Sequence, residues 1–423
     1  MVASMDARPT LTFPQLGAVV AGNALEFYDF LTFGFFATQI GAVFFPLKDE
    51  TSNLLATLAV FGVGFLTRPL GGLVIGSLGD RIGRKPAMLF SFTLMGVSIV
   101  GLALTPSFAS IGWWAPALAV LFRLLQGLAL GGETGPSTAF LMEAAPAHRR
   151  GLYVAMQFAT QQFGTLCAGL AGLVLASILS PDDLTAWGWR IAMLLGAAVV
   201  PFALIMRKTL PETLETPSAS WARPDRAQLW LALLAVMMLA AVTVATYTMN
   251  YMNTFGSHTL GLPPRLAFGA IVVTGSCGTL FNPVGGWLSD RLGRKPVMLA
   301  AFGLLCLVAV PCFWAMALLR SAAALYAGTA LMAVLLALGT PSSLVALSES
   351  LPQRMRSGGI GLIYALAIAS FGGTAQVVVT WLIRLTGSPL APACYMAAAL
   401  VLGLTGMALM RETAPVRSGA SRN

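Results

Sequence analysis

Gly76-Ser77-Leu78-Gly79-Asp80-Arg81-Ile82-Gly83-Arg84-Lys85-Pro86 returns 210 positions later as Gly286-Trp287-Leu288-Ser289-Asp290-Arg291-Leu292-Gly293-Arg294-Lys295-Pro296. A second pair keeps nearly the same offset: Leu141 to Pro146 leading to Arg150, against Leu347 to Pro352 leading to Arg356. A charged pattern of this length, repeated between matching apolar runs, marks an internal duplication. Two parallel repeats on one chain predict two lobes with a site between them.

Outward from these loops the chain is apolar. Hydrophobic residues make up 57% of the 423 positions and charged residues 10%, against roughly a quarter charged in soluble domains. Runs long enough to cross about 30 Å of hydrocarbon as helices recur throughout. They separate into twelve predicted spans at 14–45, 52–79, 86–105, 113–143, 152–179, 190–209, 228–255, 264–288, 296–318, 322–349, 358–385 and 390–410. The fold class expected is all-α: a polytopic membrane protein in two pseudo-symmetric six-helix bundles. The polar stretch Arg207 to Arg226 reads as a linker. The division expected is 1–209 for the first bundle, 210–227 for the linker, 228–411 for the second bundle and 412–423 for a tail. With the N-terminus in the cytoplasm, 18 of the 25 basic residues fall on the cytoplasmic side. Both termini are therefore expected there. The net charge of +9 is a topology signal and does not imply nucleic acid. The first apolar run, Phe13 to Pro46, is too long and too interrupted for a signal-peptide core. The five cysteines lie in apolar runs without metal-ligand spacing, so no metal is expected.

Five charged residues fall well inside the spans: Glu26, Asp29, Arg68, Arg123 and Glu133. Each is costly in hydrocarbon, so each is expected to face a cavity or a partner. Glu26 and Asp29 are three apart on one face of the first span. Arg123 lies roughly 16 Å below the outer end of the fourth span, counting 1.5 Å per residue, near the level of Asp29. A guanidinium stays charged and grips a carboxylate with two parallel hydrogen bonds. Arg123 and Arg68 are therefore candidates for an anionic ligand, with a permanent Arg123–Asp29 pair as the competing reading. Polar groups at helical spacing complete a candidate cavity: Asn23, Gln157 and Gln161, Tyr247, Asn250 and Tyr251, Asn282, Ser342 and Ser343, and Tyr364. No nucleophile–base set or nucleotide loop occurs, so no enzyme is expected and no catalytic residue is named.

The doubled Gly-x-x-x-Asp-Arg-x-Gly-Arg-Lys-Pro loop resembles the signature of the major facilitator superfamily. Gly22-Asn23-Ala24-Leu25-Glu26-Phe27-Tyr28-Asp29-Phe30, Thr67-Arg68-Pro69-Leu70-Gly71, Arg123-Leu124-Leu125-Gln126-Gly127 and Trp187-Gly188-Trp189-Arg190 narrow this further. They are similar to the metabolite–proton symporter family, closest to its bacterial citrate and tricarballylate branch, from about Gly22 to Met410. The resemblance implies alternating-access symport of a small di- or tricarboxylate with protons, in a bacterial inner membrane, by a monomer with no cofactor beyond the coupling ion. Sodium as that ion stays open. So does a zwitterionic cargo such as proline or betaine, or shikimate or oxoglutarate.

The resemblance also assigns roles. Tyr28 and Gln126 join the substrate set. The proton is expected on Asp29, Glu26 or Glu133, since His148 and His258 fall in loops. A carboxylate at membrane depth is pulled two ways, by desolvation toward neutrality and by a nearby Arg toward its anion. Gly76, Asp80, Arg81, Arg84 and Glu143, with Asp290, Arg291, Arg294 and Glu349, are expected to form cytoplasmic latches whose release frees one lobe to rock. All five buried charges belong to the first half, so the first lobe is expected to hold carboxylates and protons while the second shapes and gates.

Overall fold

The computed structural model describes residues 13–47, 49–82, 84–131, 145–197, 226–350 and 365–418. Among them every regular element is helical, as hydrocarbon demands of an open chain that must satisfy its own backbone groups. The main helices are α1 (Phe13–Phe35), α2 (Ala37–Phe44), α3 (Glu50–Leu66), α4 (Arg68–Ile82), α5 (Arg84–Leu104), α6 (Trp114–Leu130), α7 (Arg150–Ile178), α8 (Trp189–Gly196), α9 (Arg226–Asn250), α10 (Pro264–Leu292), α11 (Arg294–Leu319), α12 (Ala322–Ser350), α13 (Gly373–Thr386) and α14 (Ala391–Leu409).

Eight described helices are long and apolar enough to cross a membrane, and the pair α1/α2, bent by 61°, makes a ninth. The shorter apolar helices Leu89–Leu104 and Trp114–Leu130 hold two more of the expected positions. The expected sixth span starts at α8 and passes beyond the described residues after 197. Asp49 caps α3, its carboxylate accepting from Ser52 N at 2.9 Å. Thr67 interrupts the path from α3 to α4. There Pro69 has no N–H to give to the carbonyl four residues back.

Side-chain packing divides broadly in two. One apolar cluster gathers Tyr28, Phe30, Phe33, Phe61, Phe65 and Trp189 from the first half. Another gathers Met238, Phe255, Met298, Phe302, Phe313 and Met396 from the second. α7 and α10 run antiparallel against each other from one end to the other: Gly151 meets Gly286, Leu166 meets Gly275, and Gly172 meets Phe268.

Glycine is required where backbones touch. A Cβ on Gly151 would lie 2.5 Å from the Gly286 carbonyl oxygen. On α6, Cβ atoms at Gly127 and Gly131 would overlap the carbonyls of Gly64 and Arg68. Glycines in a membrane helix serve either bending or close packing. For Gly127 and Gly131 the structure answers with close packing.

Gly127→Val should therefore lower the melting temperature by several degrees or prevent accumulation, as overpacking typically costs about 1–3 kcal/mol. Gly303, whose added Cβ would meet nothing within 4 Å, is the control. Gly303→Ala should melt within a degree or two of the parent. Equal melting of both variants would contradict the packing.

Candidate functional site

α1 sets Asp29 and Phe30 side by side with different neighbours. Asp29 is fully buried, as is Arg123 on α6, and Gln126 is 1% exposed. The Gln126 amide stands between the two charges: its Nε2 donates to Asp29 Oδ2 and its Oε1 accepts from Arg123 Nη1. Arg123 and Asp29 are bridged by an amide and do not pair directly. Arg123 also stacks over Phe30, Phe33 and Phe61, at 4.5, 4.7 and 5.0 Å from the ring centroids. Arg68, from α4, rests 4.2 Å over the same Phe30 ring and 4.4 Å over Phe65. One phenyl ring thus serves two guanidinium groups, and it is the electron-rich face of a ring that attracts a cation.

Between the lobes lies a cleft of ≈ 990 Å³, counting its open part. Phe27, Arg68, Phe158, Gln161, Gln162 and Thr165 come from the first half, and Thr243, Tyr247, Asn250, Thr274, Asn282 and Ser343 are among those from the second. Arg68 is the only charged residue in the lining among the described residues. Of the two candidate arginines, one reaches the cleft. Arg123 lies outside the lining, behind the phenyl rings, and Arg68 faces the cleft. A helix position gives depth along the membrane but not the direction in which a side chain points.

The other candidates separate in the same way. Arg68, Gln161, Tyr247, Asn250, Asn282 and Ser343 line the cleft. Asn23 is placed outside it, donating to Thr160 Oγ1 at 2.9 Å and to the Gln157 carbonyl at 3.2 Å. Tyr28 donates to the Ala192 carbonyl at 2.9 Å inside the first lobe. Tyr251 is buried with its hydroxyl 3.0 Å from Thr380 Oγ1. Gln126, Gln157, Ser342 and Glu26 are buried and outside the lining. Glu133, Glu143 and Tyr364 fall outside the described residues, as do the side chains of Gly76, Asp80, Arg81 and Arg84. Gln162, Thr165, Thr246, Thr274 and Thr340 also line the cleft and were absent from the expected set. Gln162 adjoins Gln161, and spacing alone did not separate their faces.

At the loop end of the second half, Asp290 and Arg294 build a network across the lobes. The Asp290 carboxylate accepts from Gly151 N and Leu152 N, both at 2.9 Å. It thereby caps the N-terminus of α7, where the helix dipole favours an anion. Arg294, 1% exposed, donates to Asp290 at 2.6 Å and to both Glu349 oxygens at 3.3 and 3.2 Å. Arg150 lies 3.8 Å from Glu349. Arg291 instead stacks 4.2 Å over Trp287 and is outside this network.

The segment after α14 closes the arrangement. Glu412 accepts from Arg294 N at 3.0 Å and Lys295 N at 3.1 Å, the first turn of α11, and Thr413 donates to Glu349 at 2.7 Å. Partial burial pushes the Glu412 carboxyl up, but backbone donors from Ala414, Arg294, Lys295 and Thr413 outweigh it and hold it below the usual glutamate value. At the far end the lobes meet again. Asn253 donates to the Phe35 carbonyl at 2.6 Å, and Arg384 lies 3.6 Å from Asp49.

The Major Facilitator Superfamily profile matches residues 27–362 and 229–422. A citrate–proton symporter of Klebsiella pneumoniae is 35% identical, with 92% of this chain and 90% of that protein aligned. An alpha-ketoglutarate permease of Escherichia coli is 34% identical over 85% of this chain and 84% of its own length. Among solved structures, the xylose transporter of E. coli in a partially occluded inward-open conformation superposes with a TM-score of 0.76. It shares 16% identity and covers 94% of this chain and 99% of its own.

Asp290→Ala should raise amide exchange at Gly151 and Leu152 by about 10- to 100-fold, the loss expected for hydrogen bonds to a charged group. Unchanged exchange would remove the carboxylate as the tie. Glu412 has a depressed folded value, so its contribution is complete above the ordinary 4.5 and fades as pH falls through the lower folded value. Exchange at Arg294 and Lys295 should stay flat from pH 7 to pH 5, after correction for intrinsic rates. Protection should fall in more acid solution, and Glu412→Gln should lack that acid step.

Proposed function

The chain belongs to the Major Facilitator Superfamily, and from that premise we propose that it carries a di- or tricarboxylate such as citrate together with protons. Membership makes it a multi-pass membrane transporter, and its bacterial symporter relatives place it in the inner membrane. The observation that carries the substrate reading is the single charged residue of the described lining. Arg68 brings a cationic group to the wall of the cleft, where a carboxylate of the cargo can meet it. A zwitterion would need an anionic or aromatic partner for its cationic end as well. Phe27, Phe158 and Tyr247 offer such rings in the lining, so the preference for the polyanion rests on the citrate–proton symporter relatives.

Charge balance supplies the coupling. With Asp29 ionised, Asp29, Arg123 and Arg68 together carry one net positive charge. With Asp29 protonated they carry two. Arg68 and Arg123 share the Phe30 ring, so they lie no more than about 9 Å apart, a range over which charges in a low-dielectric interior still act on one another. A polyanion in the cleft is therefore held more tightly when Asp29 is neutral, and releasing the proton loosens it. The moving bodies are the bundles 1–209 and 228–411, joined by 210–227, with 412–423 as the tail. Both termini are cytoplasmic, the chain acts as a monomer, and the proton is the coupling ion, with no further cofactor.

Asp29→Asn mimics the protonated acid and cannot titrate. In proteoliposomes it should keep citrate counterflow and lose accumulation driven by a pH gradient. Retained proton-driven accumulation would remove Asp29 from coupling. Arg68→Gln should raise the citrate KM about tenfold or more, since a charge-assisted hydrogen bond is lost. An unchanged KM would refute the carboxylate contact.

A further inference from the structure

Away from Arg68, the buried side-chain atoms of the described lining that have no hydrogen-bond partner are acceptors. Five threonine and serine hydroxyls on the walls give their single proton to their own helices. Thr165 donates to the Gln161 carbonyl at 3.2 Å, Thr246 to Val242 at 2.8 Å, Thr274 to Ala270 at 2.9 Å, Thr340 to Leu336 at 2.8 Å and Ser343 to Gly339 at 3.3 Å. Toward a ligand these oxygens can only accept.

The amides point the same way. Asn282 is 3% exposed, and its Nδ2 is tied to the Gly278 carbonyl at 2.7 Å. That bond fixes the amide orientation and leaves Oδ1, which has no protein partner, as an acceptor. Gln162 reaches across from α7 to the same turn of α10: a Cβ on Gly278 would lie 2.7 Å from Gln162 Cδ. Its Oε1, and the Oδ1 of Asn250, are likewise buried without a partner. Pro341 adds another acceptor, because it has no N–H for the carbonyl of Ala337, and Ala337 lines the cleft.

Buried acceptors without donors are costly unless the ligand completes them. Carboxylates cannot do so, since they bring only more acceptors. A cationic amine would meet no described acidic side chain in the lining. A hydroxyl brings one neutral donor. We propose that this transporter reads a hydroxyl on its cargo through Asn282, with Gln162 and Asn250 beside it, and so selects hydroxy-polycarboxylates over the same skeleton lacking the hydroxyl. This rests on the polycarboxylate reading above and narrows it. Arg68 takes the carboxylate end of the cargo, and the amide oxygens of α10, α7 and α9 take the hydroxyl.

The test uses the full chain in proteoliposomes under a pH gradient. Labelled citrate uptake is competed with unlabelled citrate or with tricarballylate, which has hydrogen in place of the hydroxyl. Tricarballylate should compete about tenfold less well than citrate, or worse, as one lost buried hydrogen bond implies. Asn282→Leu should narrow that gap to within about threefold, chiefly by weakening citrate. Gln162→Leu, on the opposite lobe, should narrow it too and serves if the first variant does not fold. Equal competition by both compounds in the parent would overturn the hydroxyl readout while leaving polycarboxylate transport standing. Variants that weaken both compounds alike would overturn it as well. If sodium drove uptake and Asn282→Leu abolished the sodium dependence, the oxygens would be cation ligands and the inference would fail. A parent that takes neither compound would sink the polycarboxylate reading itself and this one with it.

Discussion

Two guanidinium groups resting on one phenyl ring are the constraint around which the first lobe is built. Neither Arg68 nor Arg123 can shed its charge, and for Arg123, fully buried at membrane depth, water is not at hand to stabilise it. The stabilisation comes from aromatic rings, from the Gln126 amide and from the Asp29 carboxylate held by that amide. Much of the local architecture follows. Phe30 must sit next to Asp29 in the chain so that the ring and the acid diverge to different partners. Gly64 and Gly127 must let α3 and α6 close to backbone contact, since a Cβ on Gly64 would lie 3.1 Å from the Arg123 carbonyl oxygen. Bulk at either position would push α6 away from α3, carrying Arg123 and Gln126 with it.

The two ends of the cleft are closed by chemistry of different strength. At the loop end the ions are buried: the side chains of Arg294, Asp290 and Glu349 are 1%, 7% and 6% exposed. Removing one partner from such a group strands the others, at a typical cost of about 3–5 kcal/mol. At the far end the pair Arg384–Asp49 is 48% and 46% exposed, where solvent screening leaves an ion pair little net effect. Among the described residues the other contacts there are hydrogen bonds from Asn253 to Phe35 and from Arg384 to Ser52 at 2.8 Å, the 3.4 Å contact of Thr51 with His258, and ring packing such as Phe36 on Phe268. A protein that must open each end in turn therefore faces unequal barriers, and the loop end is the more firmly shut in this conformation.

The fold was readable because two independent signals agreed. Apolar length marked the spans, and the doubled Asp-Arg-x-Gly-Arg-Lys loop marked the duplication. The buried charges were readable too, since charge inside an apolar run stands out. What each charge faces was not. Soluble helices reveal their inner side by an apolar stripe, but a membrane helix is apolar toward lipid as well as toward its neighbours. Arg68 and Arg123 therefore looked alike, and only the fold shows that Arg68 reaches the cleft while Arg123 does not. Gln126, three residues after Arg123 and on the same face, was picked out by its motif. Its place between acid and base needed α1 and α6 brought together. The loop network hid a contributor for another reason: Glu412 follows the last helix and meets Arg294 only through the fold.

On the function proposed above, the separation of Asp29 from the cleft shapes how coupling works. Cargo that touches Arg68 does not touch the acid, so no proton need pass between them and no direct competition for one arginine is required. What passes is field. A change of charge at Asp29 acts on each ligand charge through the low-dielectric interior, more strongly than it would through water. A cargo bearing two or three negative charges feels more, and a zwitterion of no net charge much less. The acceptor-rich wall across the cleft works against the same polyanion unless a donor on the cargo faces it. Strong coupling and hydroxyl selection thus arise from opposite walls of one cleft, and the cargo that satisfies both has charge at one end and a hydroxyl at the other.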